Sequence, residues 1–451
     1  MTQLFSFANP SFHQMSKISS PLSTNKNISP ARKLNGTLVL PADKSISHRA
    51  VMFAGLHDGQ SVIENFSSAA DPHSTIACMR QLGVGISTNG NQVIVDGVGR
   101  DGLQPPAEPL NCGNSGTTMR LLSGIVGGAG ISCTLTGDKS LSARTMQRII
   151  DPLRQMGINI SGRDDNFAPL NIQPHTGVNA LHFQLPIASA QLKSCVLLAG
   201  LFGKESTKVI ETKTSRDHTE RLLQLPVDET RDEKVIKSNS SQAIPQQSYT
   251  VPGDFSAAAF WLVAAGIHSN ASIRMPAVGM NPTRTGALHI LQQMGADISI
   301  TNKRMEGFEP VADLQASSSS LQAVDITAEI VPNCIDEIPI LIIAMLFADG
   351  SSTVRGAREL RHKETDRLDA MAQLLKRAGA TFTEYDDGFE IVGNPNFRPQ
   401  YGSFESEDDH RIAMAAAILA IMGSESSTIA DANCTRISYP SFWNHLSKLT
   451  N

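Results

Sequence analysis

Residues 351–393, SSTVRGARELRHKETDRLDAMAQLLKRAGATFTEYDDGFEIVG, hold a repeating pattern in its clearest form. The opening SSTVRGA alternates β-branched and polar residues and predicts a strand. A charged turn follows, and then Leu368, Met371, Leu375 and Ala378 recur at the spacing of one helical face. Gly379 stands where that helix needs a left-handed cap residue, and GATFTEYDDGFEIVG alternates around a turn as a two-stranded hairpin does. Just upstream, IVPNCIDEIPILIIAML at 330–346 leads from a polar turn into a wholly apolar helix. Strand, helix, strand, helix and hairpin make a βαβαββ unit.

The same unit recurs along the chain at intervals of roughly 70 residues. Its polar turn and small-residue helix return as VLPADKSISHRAVMFAG (39–55), NCGNSGTTMRLLSG (111–124), QLPIASAQLKSCVLLAG (184–200), TVPGDFSAAAFWLVAAG (250–266) and SEDDHRIAMAAAILA (406–420). The capping glycine returns as Gly83, Gly157 and Gly295. In the third copy LLQLPVDETRDEKVIKSNSSQ (222–242) replaces the glycine-capped helix end, and the sixth copy is truncated. Six copies divide into two sets of three. The predicted organisation is a disordered extension over 1–34, rich in Ser, Asn and Pro, a first lobe over 42–250, and a second lobe of 35–41 plus 251–451. Pro41, Pro252 and Gly253 are the hinge candidates.

Composition narrows the function. The chain has 451 residues, too many for one compact core, and a net charge of −5, which argues against nucleic acid as a partner. The most apolar run, IPILIIAMLFA at 338–348, is about half a membrane span, so no membrane segment is expected. Cys78, Cys112, Cys133, Cys195, Cys334 and Cys434 form no C-x-x-C pair or metal spacing and read as reduced structural thiols. The extension lacks the apolar core of a secretory signal, and a cytoplasmic monomer is expected.

The polar turns hold most of the residues suited to chemistry, at helix starts whose free N–H groups favour anions. Lys44, Ser45 and Arg49 set two cations and a hydroxyl in the first turns of one helix, which suits a phosphate or a merely solvated helix start. No G-x-x-x-x-G-K precedes Ser45, so a nucleotide P-loop is not indicated. Asn114 to Thr118, with Gly116 permitting close approach, is either a second anion cradle or a capped helix with a packing glycine. Arg144, Arg216, Lys363 and Arg367 add cations; the last two are four apart, predicting a shared helical face, with surface pairing to Asp366 or Glu364 as the alternative. Asp336 and Glu364 are carboxylates placed to move protons. Asp409 and His410 are adjacent and poorly spaced for one metal ion, and no metal is expected.

DKSISHR (43–49), GNSGTTMRLL (113–122), SAQLKS (189–194), SRDHTE (215–220), RHKETDRL (361–368) and DHRIAMA (409–415) together resemble the signatures of the enolpyruvyl transferase family, in its shikimate 3-phosphate branch. The resemblance implies two inverse α/β domains, each of three βαβαββ units. It implies transfer of the enolpyruvyl group of phosphoenolpyruvate to the 5-hydroxyl of shikimate 3-phosphate, with release of phosphate and no cofactor. By motif, Lys44, Ser45, Arg49, Ser189, Ala190, Gln191, Arg216, Asp336 and Lys363 would hold shikimate 3-phosphate. Lys44, Gly116, Arg144, Gln191, Arg367 and Arg411 would hold phosphoenolpyruvate. Asp336 would take the proton of the attacking hydroxyl, while Glu364, assisted by Lys44, would protonate the enol methylene.

The chain departs from the family pattern at Ala190, where many relatives have a second serine, and at Leu121 and Thr145, where proline is common. Arg436 is the candidate substitute for a lysine that some relatives carry near Ile437. The sibling enzyme acting on UDP-N-acetylglucosamine is disfavoured, since TGDKSLSARTM (136–146) has no cysteine and Ser45 stands where that enzyme has asparagine. A non-catalytic anion-binding scaffold is disfavoured by Asp336 and Glu364.

Overall fold

The computed structural model describes residues 25–450. Five four-stranded sheets and one three-stranded sheet carry the repeat, and in each four-stranded sheet a parallel pair continues into an antiparallel hairpin. The second unit is typical: Leu110–Asn111 pairs parallel with Cys133–Thr136, which pairs antiparallel with Phe167–Gln173 and through it with Asn159–Arg163. The opening helix of each unit is built mainly of small and apolar residues and is buried along most of its length. Along Phe255–Ile267 every residue except Ile267 is buried. The second helices keep one face in solvent, as Arg367–Arg377 does while burying Leu368, Met371 and Leu375. Gly83, Gly157, Gly295 and Gly379 end their helices at φ of 91°, 81°, 86° and 75°, the left-handed geometry that favours glycine.

Apolar side chains gather into two cores. One takes residues from Ala42 to Val251, the other Ile28 to Leu40 together with Phe255 to Leu449. The chain passes between them twice, side by side: Asp43 N donates to Pro252 O at 2.8 Å and Asp254 N to Pro41 O at 2.8 Å. Each crossing also supplies a strand. Tyr249–Thr250 completes the sheet of Asp58–Glu64, and Leu34–Thr37 completes that of Ala271–Gly279. Beside the crossings, His218 Nδ1 lies 2.6 Å from Glu309 Oε1 and Asn281 Nδ2 donates to Asp217 Oδ1 at 2.7 Å, so buried polar groups tie the halves together.

One expectation needs correction, and the irregular third unit takes a definite form. The extension predicted as disordered is ordered from Lys26, because Lys26–Ile28 pairs antiparallel with Ser427–Ile429. It takes the place of the hairpin strand that the truncated sixth unit lacks, with Ile28 turned into the core. A strand of three residues with one apolar side chain gives no periodic signal of its own. Residues 1–24 of that expectation lie outside the described residues. In the third unit the second helix survives as His218–Leu222, stopped by Gln224 at φ 51° rather than by glycine, and its hairpin forms from Val227–Glu229 and Lys234–Ser238.

Among the described residues no helix is long and apolar enough to cross a membrane, and no group of three or more metal-ligating side chains occurs. All six cysteines are unbonded, and Cys434 alone among them is not buried.

Candidate active site

Six helix starts meet at one cavity. Asp43, Ser115, Ser189, Asp254 and Asp409 each cap an opening helix by accepting from a backbone N–H of its first turn. The fifth opening helix is entered through a tight turn, Ile335–Glu337, that carries Asp336. Residues at all six starts line a single cavity of about 450 Å³ between the two cores. Each helix start carries roughly half a positive charge, so their convergence favours anions before any side chain is counted.

The cavity gathers every residue that the family motifs assign to a substrate or to proton transfer. Lys44, Ser45, Arg49, Gly116, Arg144, Ser189, Ala190, Gln191 and Arg216 line it from one half. Asp336, Lys363, Glu364, Arg367 and Arg411 line it from the other. Lys44 Nζ pairs with Asp71 Oδ2 at 3.2 Å. Arg49 is held by Thr219 Oγ1 at 2.8 Å and Ser194 Oγ at 3.0 Å; burial pulls its pKa down to about 10, which leaves it charged at neutral pH. Gln191 accepts from Arg120 Nη1 at 2.6 Å and donates to Thr117 Oγ1 at 3.0 Å, a doubly held amide facing the cavity. Arg144 Nη2 donates to Asn114 Oδ1 at 2.9 Å.

Asp336 sits among four cations. Arg216 donates to it across the cleft, and Lys363, Arg367 and Arg411 stand at 3.6, 3.5 and 3.9 Å. Burial pushes its carboxyl up, but the four cations, Arg216 first, outweigh burial and hold it well below the usual carboxylate range. Glu364 accepts from Arg367 Nη2 at 2.6 Å and lies 3.9 Å from Arg144 Nη1. Its carboxyl too is raised by burial and held well below its ordinary value by Arg367 first, with Arg144 and Lys44. Burial keeps His410 neutral at neutral pH, with its pKa down to about 3. Across the cleft the ion pairs Arg216–Asp336, Arg144–Glu364 and Arg148–Glu359 bridge the two halves, so the cleft is closed.

The backbone around Lys363 and Arg367 differs from the expectation of one shared helical face. The helix begins at Arg367, capped by Asp366, and Lys363 is extended upstream of it. Both cations still reach Asp336, because the loop folds back over the helix start. Arg367 is 1% exposed, and Asp409 Oδ2 accepts from its Nε at 2.8 Å, so it is no surface ion-pair residue. Arg436 is exposed and does not line the cavity.

Other lining residues escaped the sequence reading. Arg120 lies inside the quoted GNSGTTMRLL but reads as part of an apolar helix. Asp71 opens a second helix of its unit rather than a first. Arg284 donates to Asp254 Oδ1 at 3.1 Å and Ser256 Oγ at 2.7 Å, and nothing in NPTRTG at 281–286 marks it as part of this wall.

The family profile for EPSP synthase (3-phosphoshikimate 1-carboxyvinyltransferase) matches residues 28–446. A 3-phosphoshikimate 1-carboxyvinyltransferase of Salinibacter ruber is 48% identical over 429 residues, covering 94% of this chain and 99% of the relative. One from a Synechococcus species is 47% identical, covering 94% and 96%. The solved structure of an EPSP synthase from Acinetobacter baumannii superposes with a TM-score of 0.84 at 38% identity, covering 94% of this chain and 98% of that one. The enolpyruvyl transferase NikO from Streptomyces tendae, 15% identical, shares the fold at a TM-score of 0.75 over 94% and 96%.

Proposed function

The chain belongs to the EPSP synthase (3-phosphoshikimate 1-carboxyvinyltransferase) family and transfers the enolpyruvyl group of phosphoenolpyruvate to the 5-hydroxyl of shikimate 3-phosphate, and from that premise we propose which residues carry each step. Shikimate 3-phosphate is held by Lys44, Ser45, Arg49, Ser189, Gln191, Arg216 and Lys363, with Ala190 offering only its backbone. Phosphoenolpyruvate is held by Lys44, Gly116, Arg144, Gln191, Arg367 and Arg411. The supporting observation is that the seven cations and two carboxylates assigned by motif, scattered from Lys44 to Arg411, all line one closed cavity. Two substrates that each bear a phosphate and a carboxylate repel one another, and fixed cations with helix starts offset that repulsion.

In the proposed chemistry Asp336 accepts the 5-hydroxyl proton as that oxygen bonds to C2 of phosphoenolpyruvate, and Glu364 delivers a proton to C3. Collapse breaks the bond from C2 to the phosphate oxygen and returns the C3 proton to Glu364, leaving the enolpyruvyl ether and inorganic phosphate. The depressed pKa of Glu364 is at odds with a proton donor while Arg367 and Arg144 are aimed at it. Substrate anions resolve this. Once phosphoenolpyruvate occupies those two arginines, they stabilise the Glu364 carboxylate less and its pKa rises. Shikimate 3-phosphate does the same to Asp336 by engaging Arg216 and Lys363, which makes it a stronger base.

The two cores act as lobes, 42–250 and 35–41 plus 251–451, that close on shikimate 3-phosphate first. The protein works as a cytoplasmic monomer: the residues assigned above come from one chain, and six unbonded cysteines suit a reducing compartment. A phosphate-release assay with phosphoenolpyruvate, run with shikimate 3-phosphate and in parallel with UDP-N-acetylglucosamine, tests the acceptor. Turnover is expected with the first alone. Asp336→Asn, folded but still turning over at the parent rate, would refute the assignment of the base.

A further inference from the structure

A second cavity, of about 690 Å³, opens beside the catalytic one. The Asp138–Arg148 segment bounds it on one side and His362–Glu364 on the other. It shares Arg120, Arg144, Arg148, Lys363 and Glu364 with the catalytic cavity, so the two are continuous. Five permanent cations line it, Arg120, Lys139, Arg144, Arg148 and Lys363, against two carboxylates, Asp138 and Glu364. Both carboxylates are already engaged. Asp138 caps Leu141 N at 2.8 Å and accepts from Asn114 Nδ2 at 2.8 Å, while Glu364 accepts from Arg367 Nη2 at 2.6 Å.

The surplus cations are graded in depth. Arg120 is 7% exposed, the side chains of Arg144 and Arg148 are 15% and 28% exposed, and Lys139 lies in solvent. The Nε groups of Arg120 and Arg144 are buried without a hydrogen-bond partner. A row of cations running from a buried arginine to an exposed lysine, with spare N–H donors at its inner end, suits a small dianion moving between site and solvent.

We propose that this cavity is the departure path of the inorganic phosphate released in the reaction. When the bond from C2 to the phosphate oxygen breaks, the freed phosphate shifts from Arg144 towards Arg148 and Lys139 and leaves there, while the organic product stays behind. Glu359, 3.8 Å from Arg148 across the cleft, competes with the phosphate for that guanidinium. The proposal rests on the assignment of Arg144 to phosphoenolpyruvate, and adds that Arg144 meets its phosphate end.

The test is the reverse reaction, in which the enolpyruvyl product and inorganic phosphate regenerate the two substrates. The full-length parent is compared with Lys139→Gln, Arg148→Gln and Glu359→Gln, each checked for an unchanged melting temperature. Lys139→Gln and Arg148→Gln are expected to raise KM for phosphate roughly threefold or more, with KM for the organic product unchanged. Glu359→Gln frees Arg148 and is expected to lower KM for phosphate. Unchanged phosphate kinetics in the first two variants overturn the proposal. So does a parallel shift of Arg148→Gln and Glu359→Gln in one direction, which marks the pair as a closure contact only. A parent without phosphate-dependent reverse turnover removes the underlying assignment as well.

Discussion

Asp336 and Glu364, carboxylates ahead of the two helices of one unit, are held by one guanidinium: Arg367 lies 3.5 Å from the first and 2.6 Å from the second, and its Nε is fixed by buried Asp409 of the next unit at 2.8 Å. Arg367→Gln therefore releases both carboxylates and leaves Asp409 buried without its cation. Both carboxyl pKa values should rise, moving the acid limb of the kcat profile upward. The melting temperature should fall by an amount equivalent to about 3 kcal/mol or more, the cost of breaking a buried pair. A pH–rate profile superposable on that of the parent would contradict the shared hold.

Asp336→Asn keeps the size of the side chain and removes the proposed base. Turnover should drop by about 10²- to 10⁴-fold, the usual weight of a positioned general base, with the circular dichroism spectrum unchanged. Shikimate 3-phosphate should bind no more weakly, because Arg216 and Lys363 lose a competitor. Calorimetry with that ligand alone separates the two effects.

Gly116 lines the cavity where a Cβ atom would come within 2.8 Å of Arg120 Nη1 and 3.6 Å of Arg144 Nη1. The Arg120 guanidinium has to shift if alanine is placed there. Gly116→Ala should raise KM for phosphoenolpyruvate several-fold and spare KM for shikimate 3-phosphate. Glyphosate, expected to compete with phosphoenolpyruvate, should inhibit the parent and inhibit this variant less. Equal inhibition of the two would argue against crowding.

Acid stability carries a sign that follows from burial. His48 and His410 are buried; burial holds both below their ordinary value of 6.5, His410 at about 3. In the unfolded chain they bind protons as pH falls through 6.5, while the folded protein refuses them, so stability falls on acidification from that point. Each contributes up to ~1.4 kcal/mol per pH unit. Asp336 and Glu364, held low by cations, add stability above their unfolded pKa that is lost only at more acid pH, as their folded values are passed. Denaturant melts from pH 7 to 4 should show a slope that His410→Asn reduces.

Deleting the chain through Ile28 removes the partner of Ser427–Ile429 and uncovers that strand as an edge. The expected result is a lower melting temperature with little change in KM, since none of the described residues in that stretch, 25–28, lines the cavity. An unchanged melting temperature would make the pairing dispensable.

Much of this molecule is legible in its sequence because the repeat is physical. Each apolar helix must be buried, each capping glycine adopts positive φ, and each polar turn leaves helix N–H groups free. Gly379 and the Leu368–Leu375 stripe behave as local pattern dictates. What escapes is non-local or too short to be periodic. The Lys26–Ile28 strand is defined by a partner some 400 residues away, as the pairing of Asn27 with Thr428 illustrates. Arg284 and Asp71 acquire their place in the wall only when other units pack against them, and Arg148 is separated from Arg144 by the break between two helices. Lys363 reaches Asp336 from an extended loop and not from a helical face, because four-residue spacing cannot distinguish a helix from a loop folded over a helix start.

The double crossing has a bearing on how the protein is made. The core of Ala42 to Val251 is continuous in the chain and can assemble as soon as it has left the ribosome. The other core needs Leu34–Thr37, which emerges before all of that and finds its neighbour, Ala271–Gly279, only afterwards. Leu34–Thr37 must therefore wait unpaired while an entire half is translated, so chaperone contact during synthesis should concentrate on that segment.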